Sequence, residues 1–276
     1  MISGADFLAL QTLLQQRCGM ALTSDKLYLV GARLGPVAQK LGHRSVIELM
    51  AALRSRPSEA AINAVVEAMV THESLFFRDG KPFEQLRALL PELMRARAGG
   101  RHIRIWSAAC SSGQEAYSIA MQIQEDCGHI PAWRWEIVGT DVSDPILAKA
   151  RAGEYSAFEV KRGLSDARLA RHCEPLGDGG WRMRAPLRQM TQFRPHNLLE
   201  SAAHLGRFDI IFCRNVLIYF DAPTKTRALD VLARQLAGDG ALFLGSADSI
   251  AGVSDKFLSV DRGQFQLAQP VLRKSA

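Results

Sequence analysis

The sequence predicts an α/β protein in which a helical N-terminal domain precedes a doubly wound parallel sheet that carries a small antiparallel β insertion. Apolar residues follow helical spacing through the first 100 residues. From residue 101 onward, short apolar strands alternate with helices, which is the pattern of a parallel sheet. The glycine-rich stretch 177–180 precedes alternating apolar and basic residues at 181–184, which indicates antiparallel strands joined by a tight turn. We expect domains at residues 1–75 and 76–276, with the insertion near 154–196.

Capping signals mark several helices of the N-terminal region. Ser3 with Asp6 three residues later matches a capping box, and apolar residues at helical spacing follow it. Ser45 and Ser58 stand in the same way before two further apolar stripes. A fourth helix should cover the stripe that runs from residue 83 to 94, with a kink or a restart at Pro91.

From residue 101 onward, the sequence predicts four clear strands and two closing ones. The strands are predicted at 102–107, 135–139, 208–213 and 241–245, with a final pair on either side of 261–263. Ser143 should cap a helix that ends at Gly153, and Gly238 should lie just past the end of a helix over 222–237.

Composition places limits on the class of protein. The chain has 276 residues, of which 47% are hydrophobic and 22% charged, so a disordered chain is excluded. Its net charge of +6 favours acidic partners without indicating nucleic acid. Because no apolar stretch reaches the length of a membrane span and the N-terminus lacks signal-peptide features, we expect a cytoplasmic protein with no direct membrane insertion.

The cysteines indicate neither disulfides nor a metal site. Their number is odd and no two lie at a metal-ligand spacing, so we expect reduced, buried thiols and no bound metal. They are Cys18, Cys110, Cys127, Cys173 and Cys213.

A loop of small residues, 108–113, follows the first strand, where α/β folds bind ligands. It lacks the glycines of a dinucleotide fingerprint and the lysine of a P-loop, so an adenosyl sulfonium fits better than a phosphate ligand. Asp141, after the second strand, is placed to bind ribose hydroxyls, although it could simply begin the turn before Ser143. Glu115 could bind an ammonium group or could only complement its helix N-terminus.

Two further segments carry candidate functional side chains. Arg78 follows an apolar pair at the junction between the predicted domains, which favours a functional role over a solvated charge. Arg214 and Asn215 come directly after the strand at 208–213, with Tyr219 shortly beyond. The carboxyl end of a sheet strand favours a substrate-facing Asn215 or Tyr219.

These segments together resemble CheR-type chemotaxis methyltransferases. The matching stretches are THESLFFRD, IWSAACSSGQEAYSIAM, VGTDVSDPILAKARAGEY, HNLLE and FDIIFCRNVLIYFD, in the family's order and over nearly the whole chain. The resemblance implies a class I methyltransferase fold, with S-adenosylmethionine as cofactor and S-adenosylhomocysteine as product. It implies methyl transfer to glutamate side chains of chemoreceptors, whose cytoplasmic acidic helical bundle would be the partner.

The resemblance also implies roles for residues at matching positions. Arg78 and Tyr219 would be catalytic, and the cofactor would be bound by His72, Ser74, Arg78, Glu115, Asp141, Asn197, Leu198, Arg214 and Asn215. Two positions depart from the family pattern, since His72 stands where asparagine is usual and Ser74 where threonine is usual. Serine keeps the hydroxyl, whereas His72 is larger than asparagine, although a histidine can replace an amide hydrogen bond.

Rival functions differ in identifiable ways. A nucleic-acid methyltransferase would carry an [NDS]-P-P-[YFW] motif or a Pro-Cys nucleophile, and neither occurs. A catalytically inert scaffold would not need Asp141, Glu115, Arg78 and Tyr219 together. A related chemosensory system with an output other than chemotaxis stays open.

Two expectations concern receptor binding. The connection 174–180 is short, so the insertion should not tether a receptor C-terminal pentapeptide strongly. Lys26, Arg33 and Lys40 are spaced seven residues apart and would form one basic helical stripe for the acidic receptor, provided that Pro36 does not kink the helix.

Overall fold

The computed structural model describes residues 2–261 and 263–267. It divides into two compact units. One, the helical unit, comprises the chain up to His72 together with Tyr219–Thr224. The other, the sheet unit, comprises Glu73–Ile218 and the chain from Lys225 onward.

Four α-helices form most of the helical unit. They are α1 (Gly4–Cys18), α2 (Leu27–Lys40), α3 (Val46–Ser55) and α4 (Glu59–Met69). The capping box at Ser3 and the caps at Ser45 and Ser58 are formed as predicted. One apolar cluster joins the helices, and its most deeply buried members include Leu10, Leu14, Leu34, Leu49 and Val65.

The predicted basic stripe of Lys26, Arg33 and Lys40 is not formed as one helical face. Pro36 lies inside α2 without ending it, but Lys26 precedes the helix in a 3-10 turn. The Arg33 guanidinium donates to the carbonyl of Met69 at 2.5 Å and to Thr71 Oγ1 at 3.1 Å. Arg33 therefore holds the end of α4 and is not a solvated rim charge.

The sheet unit alternates strands and helices. In chain order its elements are α5 (Lys81–Ala96), β1 (His102–Ala108), α6 (Gln114–Cys127), β2 (Arg134–Asp141), α7 (Asp144–Ala152), β3 (Glu154–Tyr155), α8 (Ala157–Lys161), α9 (Asp166–His172), β4 (Cys173–Pro175), β5 (Trp181–Met183), α10 (Ala185–Met190), β6 (Thr191–Pro195), β7 (Phe208–Cys213), α11 (Ala222–Gln235, whose first three residues group with the helical unit), β8 (Leu236–Leu244), β9 (Phe257–Asp261) and β10 (Gln264–Leu267).

A seven-stranded sheet in the order β6-β2-β1-β7-β8-β10-β9 forms the centre of this unit. The first five strands are parallel, and β10 pairs antiparallel with β8 and β9. The α/β fold class predicted from the sequence is confirmed. Alternate side chains of β1 face opposite sides, so Ile105 joins the core beneath α5 and α6 while the ring of Trp106 lies 5.4 Å from that of Phe208.

The insertion contains a three-stranded antiparallel sheet in the order β3-β5-β4. Trp181 pairs with Pro175, so residues 176–180 form the predicted tight turn, closed by a 2.8 Å bond from the Leu176 amide to the Gly180 carbonyl. Three short helices, α8, α9 and α10, accompany these strands.

The structure refines the sequence prediction at three places. Of the two outcomes predicted at Pro91, a kink or a restart, the restart does not occur, since a single helix, α5, includes Pro91. Gly238 lies within β8, because α11 ends at Gln235 and the chain enters the sheet directly. Residues 191–195, which the sequence places in the insertion, pair in parallel with β2 as the edge strand of the large sheet.

All five cysteines are free and buried, as predicted. Among residues 2–261 and 263–267, no cluster of three or more His, Cys, Asp and Glu side chains is arranged to hold a metal ion. None of the helices in these described ranges has both the length and the apolar character that crossing a membrane requires.

Candidate cofactor-binding and active site

The loop that joins β1 to α6 has an unusual backbone. Ala109, Ser111 and Gly113 all take left-handed conformations, with φ of 58°, 51° and 91°. For alanine and serine this costs on the order of 1–3 kcal/mol each, and such strain persists only where the surroundings impose it. The loop lies at the carboxyl ends of the parallel strands, where α/β proteins bind ligands.

Specific hydrogen bonds hold this loop in place. The Cys110 amide donates to the Thr140 carbonyl at 2.8 Å, so the loop is anchored to the end of β2. The Tyr155 hydroxyl donates to the Ser112 carbonyl at 2.6 Å from the insertion side. Gly139 on β2 must lack a side chain, because a Cβ there would come within 2.6 Å of the Phe193 ring.

Asp141, at the end of β2, organises the same loop. One of its carboxylate oxygens accepts from the Ser111 amide at 2.9 Å, and the other accepts from the Ser143 amide at 3.1 Å. The bond to Ser143 is the turn-forming contact that the sequence left as the alternative role. Asp141 is buried, with 6% of its surface exposed.

Glu115 and Arg214 are brought together from α6 and the end of β7. Arg214 Nη1 donates to Glu115 Oε2 at 3.0 Å, while Glu115 Oε1 accepts from the Ser107 hydroxyl at 2.7 Å. The Arg214 side chain is only 2% exposed. Its Nε is buried without a hydrogen-bond partner among the described residues.

The junction segment before α5 completes this cluster. Arg214 Nη2 donates at 2.8 Å both to the Arg78 carbonyl and to Asp79 Oδ2. Phe77 and Asp79 have left-handed backbones, with φ of 48° and 69°, and the Phe77 amide donates to Ser118 Oγ at 2.9 Å. The Arg78 guanidinium itself reaches the Glu73 carbonyl at 3.2 Å.

The other predicted site residues of the sheet unit lie in the junction segment or directly after strands of the large sheet. Ser74 is half-buried in the junction segment. Asn197 and the buried Leu198 follow β6, which is hydrogen-bonded to β2, and the His196 amide donates to the Asp141 carbonyl at 3.0 Å. Asn215 has a left-handed backbone directly after Arg214, with φ of 59°.

Two predicted residues belong to the helical unit. The imidazole Nε2 of His72 lies 3.3 Å from Glu67 Oε1 on α4. The carbonyl of Tyr219 accepts from the Ala21 amide at 2.8 Å, and its side chain is half-buried.

Three residues that shape the site were not among those predicted from the sequence. Ser107 and Asp79 hold the Glu115–Arg214 pair, and Asp248 accepts backbone amides of the segment after Arg214. Asp79 directly follows Arg78, and Asp248 lies three residues beyond Gly245, the residue after β8, so an acid next to a motif or a strand end was the available signal.

Electrostatics in the site disfavour a thiolate. Burial, reinforced by the charges of Asp141 and Glu115, raises the pKa of the Cys110 thiol well above its ordinary value. Burial also raises the pKa of Cys213, the last residue of β7. These cysteines are therefore neutral packing groups and not nucleophiles.

Comparison with known proteins identifies relatives along nearly the whole chain. The chain is 42% identical to chemotaxis protein methyltransferase Cher2 of Pseudomonas putida, over 92% of this chain and 94% of the relative. It is 42% identical to chemotaxis protein methyltransferase 1 of Pseudomonas aeruginosa, over 94% and 95%. It is 41% identical to a chemotaxis protein methyltransferase of Vibrio parahaemolyticus, over 93% of each chain.

Two family models match in the same order. Residues 5–70 match the all-alpha domain of CheR methyltransferases, and residues 72–265 match their SAM-binding domain, so the cofactor is S-adenosylmethionine. The site fits such a ligand, because two largely buried carboxylates, Asp141 and Glu115, suit a ribose diol and an ammonium group. The chain therefore belongs to the CheR methyltransferase family.

Proposed function

We propose that this protein transfers a methyl group from S-adenosylmethionine to glutamate side chains of chemoreceptors, forming methyl esters. The observation that carries the proposal is the buried Arg214, which pairs with Glu115 and Asp79 beyond the carboxyl ends of the sheet strands in a chain of the CheR family. The relatives' names place that family in chemotaxis.

In this proposal the cofactor is held by both carboxylates of the strand-end region. Asp141 accepts hydrogen bonds from the ribose hydroxyls and also keeps loop 109–113 in its strained form. Glu115 binds the ammonium group, and Arg214 fixes the orientation of that carboxylate. Asn197 and Leu198 would bind the adenine side, and His72, Ser74 and Asn215 are the remaining cofactor-binding residues of the proposal.

The proposed methyl transfer requires orientation of the two reactants and no general base. When bound, the cofactor supplies an electrophilic methyl group on a sulfonium. A glutamate carboxylate is already an anion at neutral pH, since its ordinary pKa is about 4.3, so no general base is needed. Arg78 and Tyr219 act by orienting the carboxylate, and exclusion of water from the site favours attack.

The proposed partner is the cytoplasmic part of a chemoreceptor, an acidic helical bundle. The net charge of +6 suits such a partner. The reaction would then take place in the cytoplasm.

An isotope experiment tests this function directly. The protein is incubated with methyl-labelled cofactor and a purified receptor cytoplasmic fragment, and the product is treated with mild alkali. We expect label on the receptor that is released as methanol, because esters hydrolyse in alkali while methylated amines do not. Label that stays on the protein would contradict ester formation, and absence of label would contradict receptor methylation.

A further inference from the structure

Asp248 follows the end of β8 and lies beside the segment that follows β7. Its Oδ2 accepts from the Asn215 amide at 2.6 Å and from the Gly245 amide at 3.0 Å. Its Oδ1 accepts from the Ile218 amide at 3.0 Å. One carboxylate therefore gathers three backbone donors from two segments, and two of those donors lie just beyond Arg214.

Gly245 closes the same arrangement from the other side. A Cβ at this position would lie 2.8 Å from the backbone nitrogen of Asn215, and equally close to Asn215 Nδ2 and Asp248 Oδ2. Asn215 has a left-handed backbone, with φ of 59°, a conformation that asparagine adopts more readily than most residues other than glycine. The absent side chain at Gly245 and the carboxylate of Asp248 together impose that backbone.

We propose that Asp248 is a positioning residue for methyl transfer, because its carboxylate fixes the backbone of residues 215–218 and thereby keeps Arg214 on Glu115 and Asn215 at the cofactor site. The inference rests on the proposed cofactor roles of those two residues. Asp248 needs no contact with cofactor or substrate to act in this way.

The chemistry of the group favours a carboxylate over an amide. Three donors converge on its two oxygens, and an asparagine would keep one acceptor oxygen but turn an NH2 toward a backbone N–H. Asp248 is half-buried, and burial raises the pKa of its carboxyl above the ordinary value even though the three backbone amides favour the charged form.

Four variants of the full chain test the proposal. Asp248→Asn removes one of the two acceptor oxygens and Asp248→Ala removes both. Gly245→Ala removes no acceptor but crowds both the Asn215 amide and the Asp248 carboxylate. Asp209→Asn is the matched control, because Asp209 is a buried acid on β7 that accepts the Arg104 amide at 2.8 Å and pairs with Arg97. Each protein is measured for melting temperature, for the Kd of S-adenosylhomocysteine by calorimetry, and for receptor kcat and KM.

We expect Kd for S-adenosylhomocysteine to rise roughly fivefold in Asp248→Asn and at least roughly tenfold in Asp248→Ala, as expected for loss of charge-assisted bonds. Gly245→Ala should behave like Asp248→Asn, and kcat should fall in all three with little change in receptor KM. Asp209→Asn should melt at a lower temperature but keep the wild-type Kd. If Asp248→Asn and Gly245→Ala also keep the wild-type Kd and kcat, the residue is merely structural and the proposal is wrong.

The cofactor measurement separates this inference from the proposed function. If the wild-type protein methylates no receptor, the proposed function fails, yet the effect of Asp248 on Kd is still decided by calorimetry. If receptor methylation is normal and Kd is insensitive to Asp248 and Gly245, only the positioning role fails.

Discussion

Arg214 Nη1 lies 3.0 Å from Oε2 of Glu115, although 99 residues separate the two in the chain. The arginine is 2% exposed and the glutamate 13%, so the pair is largely shielded from water. Removing Arg214 would leave Glu115 as an uncompensated charge, which costs about 3–5 kcal/mol, whereas removing Glu115 leaves Arg214 paired with Asp79. Because Arg214 also bonds the Arg78 carbonyl, it connects the junction segment to the start of α6.

Replacing Glu115 by glutamine should weaken cofactor binding. The variant keeps the volume of the side chain but loses the charge proposed to bind the ammonium group, so calorimetry should show a Kd increased roughly tenfold or more. Glu136→Gln is the matched control, because Glu136 pairs with Arg104 at 2.9 Å on β2, five residues before Asp141. Equal cofactor affinity in both variants would contradict the role of Glu115.

Replacing Asp141 by alanine should act through two effects. It removes the proposed bonds to ribose, and it also frees the Ser111 amide that now donates to the carboxylate. Affinity for S-adenosylmethionine and S-adenosylhomocysteine should fall tenfold or more, at roughly 1.5–3 kcal/mol per bond to a charged group. Ser143→Ala provides the control, since it removes only the cap of α7, costing about 1 kcal/mol of stability without affecting Kd.

Arg78→Ala and Tyr219→Phe should remain folded and lose much of the transfer rate. Arg214 contacts the backbone carbonyl of Arg78, and the Ala21 amide contacts the carbonyl of Tyr219, so both contacts survive the substitutions. Any loss of rate then reports on the guanidinium or the phenol hydroxyl alone. If both variants methylate the receptor at the wild-type rate, Arg78 and Tyr219 are not catalytic residues.

Stability should fall in mild acid because two histidines are buried. Burial lowers the pKa of His172 and of His196, so below the ordinary histidine pKa of about 6.5 the unfolded chain binds more protons than the folded protein. This contribution is complete above about pH 6.5 and is lost as the pH falls toward the lowered folded values. Urea unfolding across this range should give a shallower pH dependence for His196→Gln, and an unchanged slope would refute the assignment.

Local patterns in the sequence predicted much of the fold but less of the site. Ser3, Ser45 and Ser143 act within their own helices, so their caps were visible as short motifs. Gly238 was wrongly predicted to follow a helix end, because a glycine after an apolar helix normally terminates it. In the structure β8 begins at Leu236, before Gly238 is reached. Asp248 and Asp79 were missed because their contacts lie 33 and 135 residues away, where no spacing rule reaches.

The basic side chains of the helical unit lead to a revised prediction for receptor encounter. Because Arg33 holds the end of α4, Arg33→Glu should disturb folding and is a poor test of charge. Lys40 is exposed, so Lys40→Glu together with Lys26→Glu should raise the receptor KM at low salt and leave the cofactor Kd unchanged. The wild-type rate should fall as ionic strength rises. Wild-type receptor kinetics in the double variant would show that the two lysines play no part in receptor encounter.

The central claim is that glutamate carboxylates of chemoreceptors accept the methyl group, and peptide mass spectrometry tests it most directly. A receptor cytoplasmic fragment is incubated with the protein and isotopically labelled cofactor, digested at low pH to preserve esters, and sequenced. We predict labelled methyl groups on specific glutamate side chains, absent when those glutamates are changed to aspartate or alanine and when Asp141→Ala replaces the wild-type protein. Label found only on other residue types would contradict the account. So would equal labelling of the receptor by the wild-type protein and by the Asp141→Ala variant.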